Sequence, residues 1–319
     1  MQSNSRQSAE RPFNIEVAAA ATRQLRALEK RLPLRVLTAS DFAFWQANGY
    51  VVVPRALSTD AVRRTVDFLW EFQEMDPDDP ESWYRPQRRD IKMAELNNGG
   101  MVEAYNHPTL WANRQERRVY DAFVDIWDRE DLWVTIDRAN LNTPNRGVRA
   151  FDGFIHWDVD TTIEPPPIGV QGVVSLVDTD AETGGFQCVP EIFRDFDTWK
   201  RGQPADRDGW RPDLGGLEPT FVPLEAGDLL IWNSLLAHGI RANRSDRPRI
   251  AQYIAMLPAD EANLPLRDWR IRSWRERLAP EGDAFPGDPR DWERTRYPTA
   301  PLTPLGERLL GLRSWRDPA

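Results

Sequence analysis

A chain of 319 residues holds one large domain with additions or two small ones, and 40% hydrophobic with 29% charged residues describes a soluble globular protein. A formal net charge of −9 counts against phosphate-backbone binding as the main activity, because nucleic-acid binders carry a basic patch and a high pI. No run approaches the length of an uninterrupted apolar transmembrane helix, the polar start Met1-Gln2-Ser3-Asn4 does not read as a secretory leader, and the single Cys188 excludes a disulfide framework and a cysteine zinc site, so a cytoplasmic location is expected.

Apolar residues at helical spacing over 15–32, ending at Arg31-Leu32-Pro33, predict a helix that stops before the proline. A second helix starts near Thr38 or Ser40, either of which can cap it, and stops at Gly49. Tyr50-Val51-Val52-Val53 reads as a β-branched strand, and Ser58-Thr59-Asp60 caps a long helix through Trp70. Residues 76 to 89 are rich in Asp, Pro, Arg and aromatics without period and predict a long loop of the kind that covers active sites. His107, in Tyr105-Asn106-His107-Pro108, sits in a turn-like setting that suits a hydrogen-bonded side chain or a substrate contact.

Val134 to Thr143 alternates as one strand, with Arg138, Asn140 and Asn142 on one face; that face is either a barrel interior or an exposed edge. Phe154-Ile155-His156-Trp157-Asp158 reads as another, which would put His156 and Asp158 on the same side. Further strands follow at Gly169 to Asp178, with Gln171 its conspicuous polar residue, at Phe186 to Val189, at Asp228 to Trp232 just before His238, and at Arg249 to Leu257. Short strands at regular spacing between Gly, Pro and Asp turns predict a mainly β fold with flanking helices and a jelly-roll, cupin-like core. A terminal helix is expected around Pro304 to Leu310.

Three histidines and fifty acidic residues produce about half a His-x-acid match by composition alone, so the spacing of His156 and Asp158 proves little by itself. The strand context, a second histidine (His238) after another strand and an arginine on a third give it weight. Two imidazoles and a carboxylate on one face of an iron are the donor set of non-haem Fe(II) oxygenases.

His156-Trp157-Asp158, the turn Thr183-Gly184-Gly185-Phe186-Gln187-Cys188-Val189-Pro190, Ala226-Gly227-Asp228, and His238-Gly239 followed by Asn243 to Arg249 resemble the phytanoyl-CoA dioxygenase family of Fe(II)/2-oxoglutarate oxygenases, over roughly residues 38 to 257. The resemblance implies a double-stranded β-helix core, His156, Asp158 and His238 as metal ligands, and Arg249 as the arginine that binds the 2-oxoglutarate C5 carboxylate. Ile240 stands where many members carry a hydroxyl residue near that carboxylate, leaving Gln171, Asn140, Asn142 or Arg241 as candidates to compensate. Halogenating relatives replace the carboxylate ligand with a small residue; Asp158 is present here, which favours hydroxylation or a related oxidation.

The implied cofactors are Fe(II), 2-oxoglutarate and O2, and the implied reaction oxidises a C–H bond of a small organic metabolite with release of succinate and CO2. Neither nucleic acid nor membrane is an expected partner, and nothing in the sequence sets an oligomeric state. Residues 1–37 are expected as an N-terminal helical extension, 38–258 as the oxygenase domain and 259–319 as a Trp-, Arg- and Pro-rich extension; the last of these and the loop at 76–108 are candidate substrate covers. Two other functions share the metal face: a cupin-type isomerase or epimerase without 2-oxoglutarate, which would not need Arg249, and a non-catalytic small-molecule-binding module.

Overall fold

The computed structural model describes residues 25–85, 100–147, 152–164, 166, 169–282 and 284–318. Its strands are β1 (Tyr50–Val53), β2 (Met101–Val102), β3 (Leu132–Val134), β4 (Ala139–Asn142), β5 (Gly153–His156), β6 (Val170–Ser175), β7 (Gly185–Cys188), β8 (Thr220–Phe221), β9 (Leu229–Asn233), β10 (His238–Arg241), β11 (Arg249–Tyr253) and β12 (Met256–Pro258). Six of them form one sheet in the order β1-β9-β6-β11-β4-β2, four form a second in the order β5-β10-β7-β8, and β12 pairs with β3. Every pairing is antiparallel. The interleaving of the two larger sheets is the topology of a jelly roll.

The period of two along each strand explains why the large sheet has two buried faces. Val51, Val53, Leu229, Ile231, Val174 and Ile250 point one way, into a cluster with helix residues such as Phe68, Leu69 and Phe123. Their alternates Val173, Leu230, Trp232 and Ala251 point the other way, into a cluster shared with Phe186 and Cys188 of the small sheet. Because facing residues share a side, the registers Asn140↔Ala251, Asn142↔Arg249 and Gln171↔Trp232 place all of these polar groups on that same inner face. Asn140 and Asn142 are buried, so the exposed-edge alternative for this strand is overturned.

The helices behind the large sheet begin with α1 (Ala39–Asn48) and α2 (Thr59–Gln73). Thr38 caps α1: its Oγ1 accepts from the Asp41 N–H at 3.1 Å while the Asp41 carboxylate accepts from the Thr38 N–H at 2.9 Å. Ser58 Oγ accepts from Ala61 N at the start of α2. Next come α3 (Pro108–Arg114) and α4 (Arg117–Trp127), the short helices α5 (Pro190–Arg194) and α6 (Phe196–Arg201) inserted between β7 and β8, and finally α7 (Leu264–Glu276), α8 (Trp292–Arg296) and α9 (Pro304–Leu310). The terminal helix falls where the sequence predicts it. Among the described residues no helix is long and apolar enough to cross a membrane.

Three expectations change. The first helix is a single 3-10 turn, Leu25–Ala27, within the described residues, and residues 15–24 lie outside them. The strand expected over 134–143 is two strands: β3 pairs with β12 and β4 with β11, and the break at Thr135–Arg138 faces the break at Ile254–Ala255. Residues 76–85 fold on themselves, with Trp83 buried and its Nε1 donating to Asp76 O at 2.7 Å, and 86–89 lie outside the described residues. The C-terminal extension packs with Trp269, Trp274, Trp292 and Trp315 against the helix-side cluster. The inner cluster takes Trp199 and Leu214 of the β7–β8 insertion instead.

Candidate metal centre

β5 and β10 run antiparallel with His156 directly opposite His238. Facing residues in such a ladder bring their side chains together, and the two imidazole centroids lie 4.8 Å apart. The sequence reading put Asp158 in the same strand as His156, but β5 ends at His156 and Asp158 lies on the bend that follows. Its Oδ1 is 3.0 Å from His156 Nε2 and its Oδ2 3.1 Å from His238 Nε2. One ligand atom from each residue falls within 4.8 Å of the others, and this is the metal-capable group found among the described residues.

His238 is 4% exposed, and its Nδ1 lies 2.8 Å from Leu236 O. That contact assigns the proton to Nδ1 and leaves the Nε2 lone pair facing the carboxylate. Lone pairs and an anion meeting at about 3 Å repel unless a cation is shared. A divalent transition metal with N and O ligands meets that requirement. Aromatic rings limit water around the group: Phe154 lies 4.7 Å from the His156 ring, Trp232 5.1 Å from the His238 ring, and Phe186 is parallel to His238 at 5.8 Å.

Arg249 opens β11 on the inner face and is 5% exposed. Its Nη1 donates to Asn140 Oδ1 at 3.2 Å, and no described carboxylate forms an ion pair with it. A buried guanidinium without an anion is costly, so the position suits the carboxylate of a bound acid. Gly185, at φ +129°, makes room for it, since a Cβ there would sit 3.3 Å from Arg249 Nε. Gln171 lies on the same face opposite Trp232, whose ring touches His238.

The structure separates other candidates from this centre. Arg241 alternates to the opposite face from His238 and Ile240, where its Nε meets Gln187 Oε1 at 3.4 Å and its guanidinium covers Phe221, so it does not fill the place of the hydroxyl absent at Ile240. Arg138 is buried in an ion pair with Glu103 at 2.9 Å. Of the two readings of His107, the structure has the hydrogen-bonded side chain: it caps α3, its Nδ1 accepting from Thr109 N at 3.2 Å, and it stacks on Phe68 at 3.5 Å. Burial lowers its pKa to about 3, which keeps it neutral. A cleft of about 650 Å³ lined by Leu32, Asp128, Glu130, Glu261 and Trp315 includes none of the centre's residues.

Two interleaved antiparallel sheets with a His, Asp and His donor set between them define a jelly-roll protein of the Fe(II)/2-oxoglutarate-dependent oxygenase class. Residues 45–251 match the phytanoyl-CoA dioxygenase (PhyH) family, and the chain belongs to that family. It is an oxidoreductase that uses Fe(II), 2-oxoglutarate and O2. A protein of Dictyostelium discoideum named for phytanoyl-CoA dioxygenase activity is 22% identical over 274 residues, covering 70% of this chain and 76% of its own. Among solved structures, GlcNAc Inducible Gene 2 of Candida albicans superposes with a TM-score of 0.64 at 11% identity, over 95% of this chain and 82% of that one. The epimerase SnoN, solved with Fe3+, alpha ketoglutarate and nogalamycin RO, gives a TM-score of 0.49 at 19% identity over 68% and 82% of the two chains. At 11% identity, the likeness to GlcNAc Inducible Gene 2 speaks to the fold alone.

Proposed function

We propose that His156, Asp158 and His238 hold Fe(II), that Arg249 binds the C5 carboxylate of 2-oxoglutarate, and that the protein hydroxylates a C–H bond of a small organic metabolite. The observation that carries this reading is the buried Arg249 guanidinium with no described carboxylate partner, on the inner face that also faces the donor set. An isomerase or epimerase that used the metal alone would have no need of a buried unpaired cation there.

The metal and cosubstrate, when bound, supply the oxidising chemistry and the release of succinate and CO2. The chain's part is to position and to exclude water. His156 and His238 come from facing ladder positions, Asp158 from the adjoining bend as a carboxylate, and Arg249 from the opposite sheet as a planar fork that pairs with two oxygens at once. Asn140 orients that fork, and Asn142 and Gln171 present amides on the same face for the remaining cosubstrate or substrate oxygens. Phe186 and Trp232 shield the buried His238 side of the centre, which strengthens charge interactions there, while His156 and Asp158 stay partly open to an incoming ligand.

The rim supports a substrate with apolar surface. Of the large hydrophobic side chains exposed among the described residues, Phe154 bears on this centre, its ring 4.7 Å from that of His156. In domain terms, residues 38–258 are assigned as the catalytic unit, with 1–37 and 259–319 as extensions.

Anaerobic titration with Fe(II) and 2-oxoglutarate tests the assignment. A weak visible metal-to-ligand charge-transfer band in the native protein, needing far more 2-oxoglutarate in Arg249→Ala, is expected. Metal binding with no band at any 2-oxoglutarate concentration would sink the oxygenase reading.

A further inference from the structure

Asp158 is held differently from the two imidazoles. His156 and His238 are ladder residues, fixed by sheet pairing, whereas Asp158 lies beyond the ladder on a bend. The backbone of that bend is satisfied by a segment distant in sequence, inside the β7–β8 insertion. Trp157 N donates to Trp210 O at 2.8 Å and Thr161 N to Gly209 O at 3.0 Å.

The contact is sealed by side chains. Thr161 is 0% exposed; its Oγ1 donates to Gly209 O at 2.8 Å and accepts from Arg207 Nη1 at 2.8 Å, while Arg207 Nη2 donates to Thr161 O at 2.6 Å. Both ends of one guanidinium therefore grip one residue, a geometry that a lysine cannot reproduce. Gly209 allows the approach, since a Cβ there would lie 2.0 Å from Asp160 Oδ1. Arg207 also covers the Trp199 ring at 5.3 Å, and Trp199 packs edge-on against Trp157 at 5.3 Å. The Trp157 indole in turn donates to Leu235 O at 2.9 Å, next to Leu236, whose carbonyl orients His238.

We propose that Arg207 and Thr161 are positioning residues for Asp158: the β7–β8 insertion is a clamp that fixes the bend carrying the carboxylate ligand. The inference rests on Asp158 being a metal ligand, as assigned above. Without the clamp, one of three ligands sits on a segment that no sheet hydrogen bond restrains, and groups that orient a metal ligand are worth about 10- to 100-fold in metal affinity.

The test combines Mn(II) binding, followed by the free-ion EPR signal, with backbone hydrogen exchange over residues 157–164 and melting of the metal-free full chain. Arg207→Ala and Thr161→Val are expected to speed exchange in that segment and to weaken Mn(II) binding about 10- to 100-fold with little change in melting temperature. Thr161→Ser, which keeps the hydroxyl, is expected to bind like the native chain; Arg207→Lys is expected to bind like Arg207→Ala. Arg201→Ala, in the same insertion but bonded to Thr198, leaves binding unchanged.

Faster exchange with native Mn(II) affinity would reduce the clamp to a structural contact and overturn the positioning role, as would native exchange in both disrupting variants. Should Arg207→Ala lower melting broadly, the nearly isosteric Thr161 pair carries the comparison. A native chain that binds no Mn(II) would fail the metal assignment itself, an outcome distinct from native and variant chains that bind equally.

Discussion

Replacing Arg249 with Met separates a functional cation from a structural one. The guanidinium is buried, with a hydrogen bond to Asn140 Oδ1 at 3.2 Å and no described ion pair. Exchanging a buried charge of this kind for an apolar side chain of similar length is often neutral or stabilising, and the lost hydrogen bond costs about 1 kcal/mol. The metal-loaded protein without cosubstrate should therefore melt within a few degrees of the native chain. A bidentate pair with a carboxylate supplies about 3 kcal/mol, so 2-oxoglutarate should bind roughly 100-fold more weakly. At a concentration 100 times the native Kd, the native protein gains about 2.7 kcal/mol from 2-oxoglutarate and the variant only about 0.4 kcal/mol. Thermal melts with Mn(II), with and without 2-oxoglutarate, read both quantities. A large fall in melting temperature without cosubstrate would show that the arginine stabilises the fold, and an undiminished 2-oxoglutarate shift would show that it does not bind the acid.

Asp158→Ala should abolish metal binding by equilibrium titration; native affinity in this variant would break the ligand assignment. His107→Ala removes the α3 cap and the stack on Phe68, together worth roughly 2 kcal/mol, and should lower melting while Mn(II) affinity stays native; a loss of metal binding at constant stability would return His107 to the site. Glu293 is buried, accepting from Tyr105 N at 2.8 Å, and burial pushes its carboxyl up to about 7. Its folded-state pKa lies above the ordinary value of 4.5, so its contribution to stability is fully present below about pH 4.5 and is lost as pH rises through about 7. Melting curves across that window should fall more for the native chain than for Glu293→Gln; parallel curves would refute the reasoning.

Much of this centre was legible because its signals are local. His156 and Asp158 are two residues apart, and the jelly-roll strands carry their own period and turns. Thr38, Ser58 and Gly49 mark helix ends through bonds that span only a few residues. The residue types also limit the chemistry: with one cysteine and three histidines, a metal site has few possible donors. Where local reading failed, a distant partner had decided. The strand expected over 134–143 broke because its partner breaks opposite it.

The sequence alone therefore determined the donor types, most of the elements and the alternation that puts polar groups on single faces. Only the tertiary structure decided that His238 stands opposite His156, that Arg249 faces inward while Arg241 faces away, and that the bend bearing Asp158 is gripped by Arg207. The physical reason is range. Propensity, capping and side-chain period act over a few residues and can be read from the chain, whereas strand register and the docking of an insertion depend on packing the whole core at once, because shifting a strand by one residue exchanges its two faces.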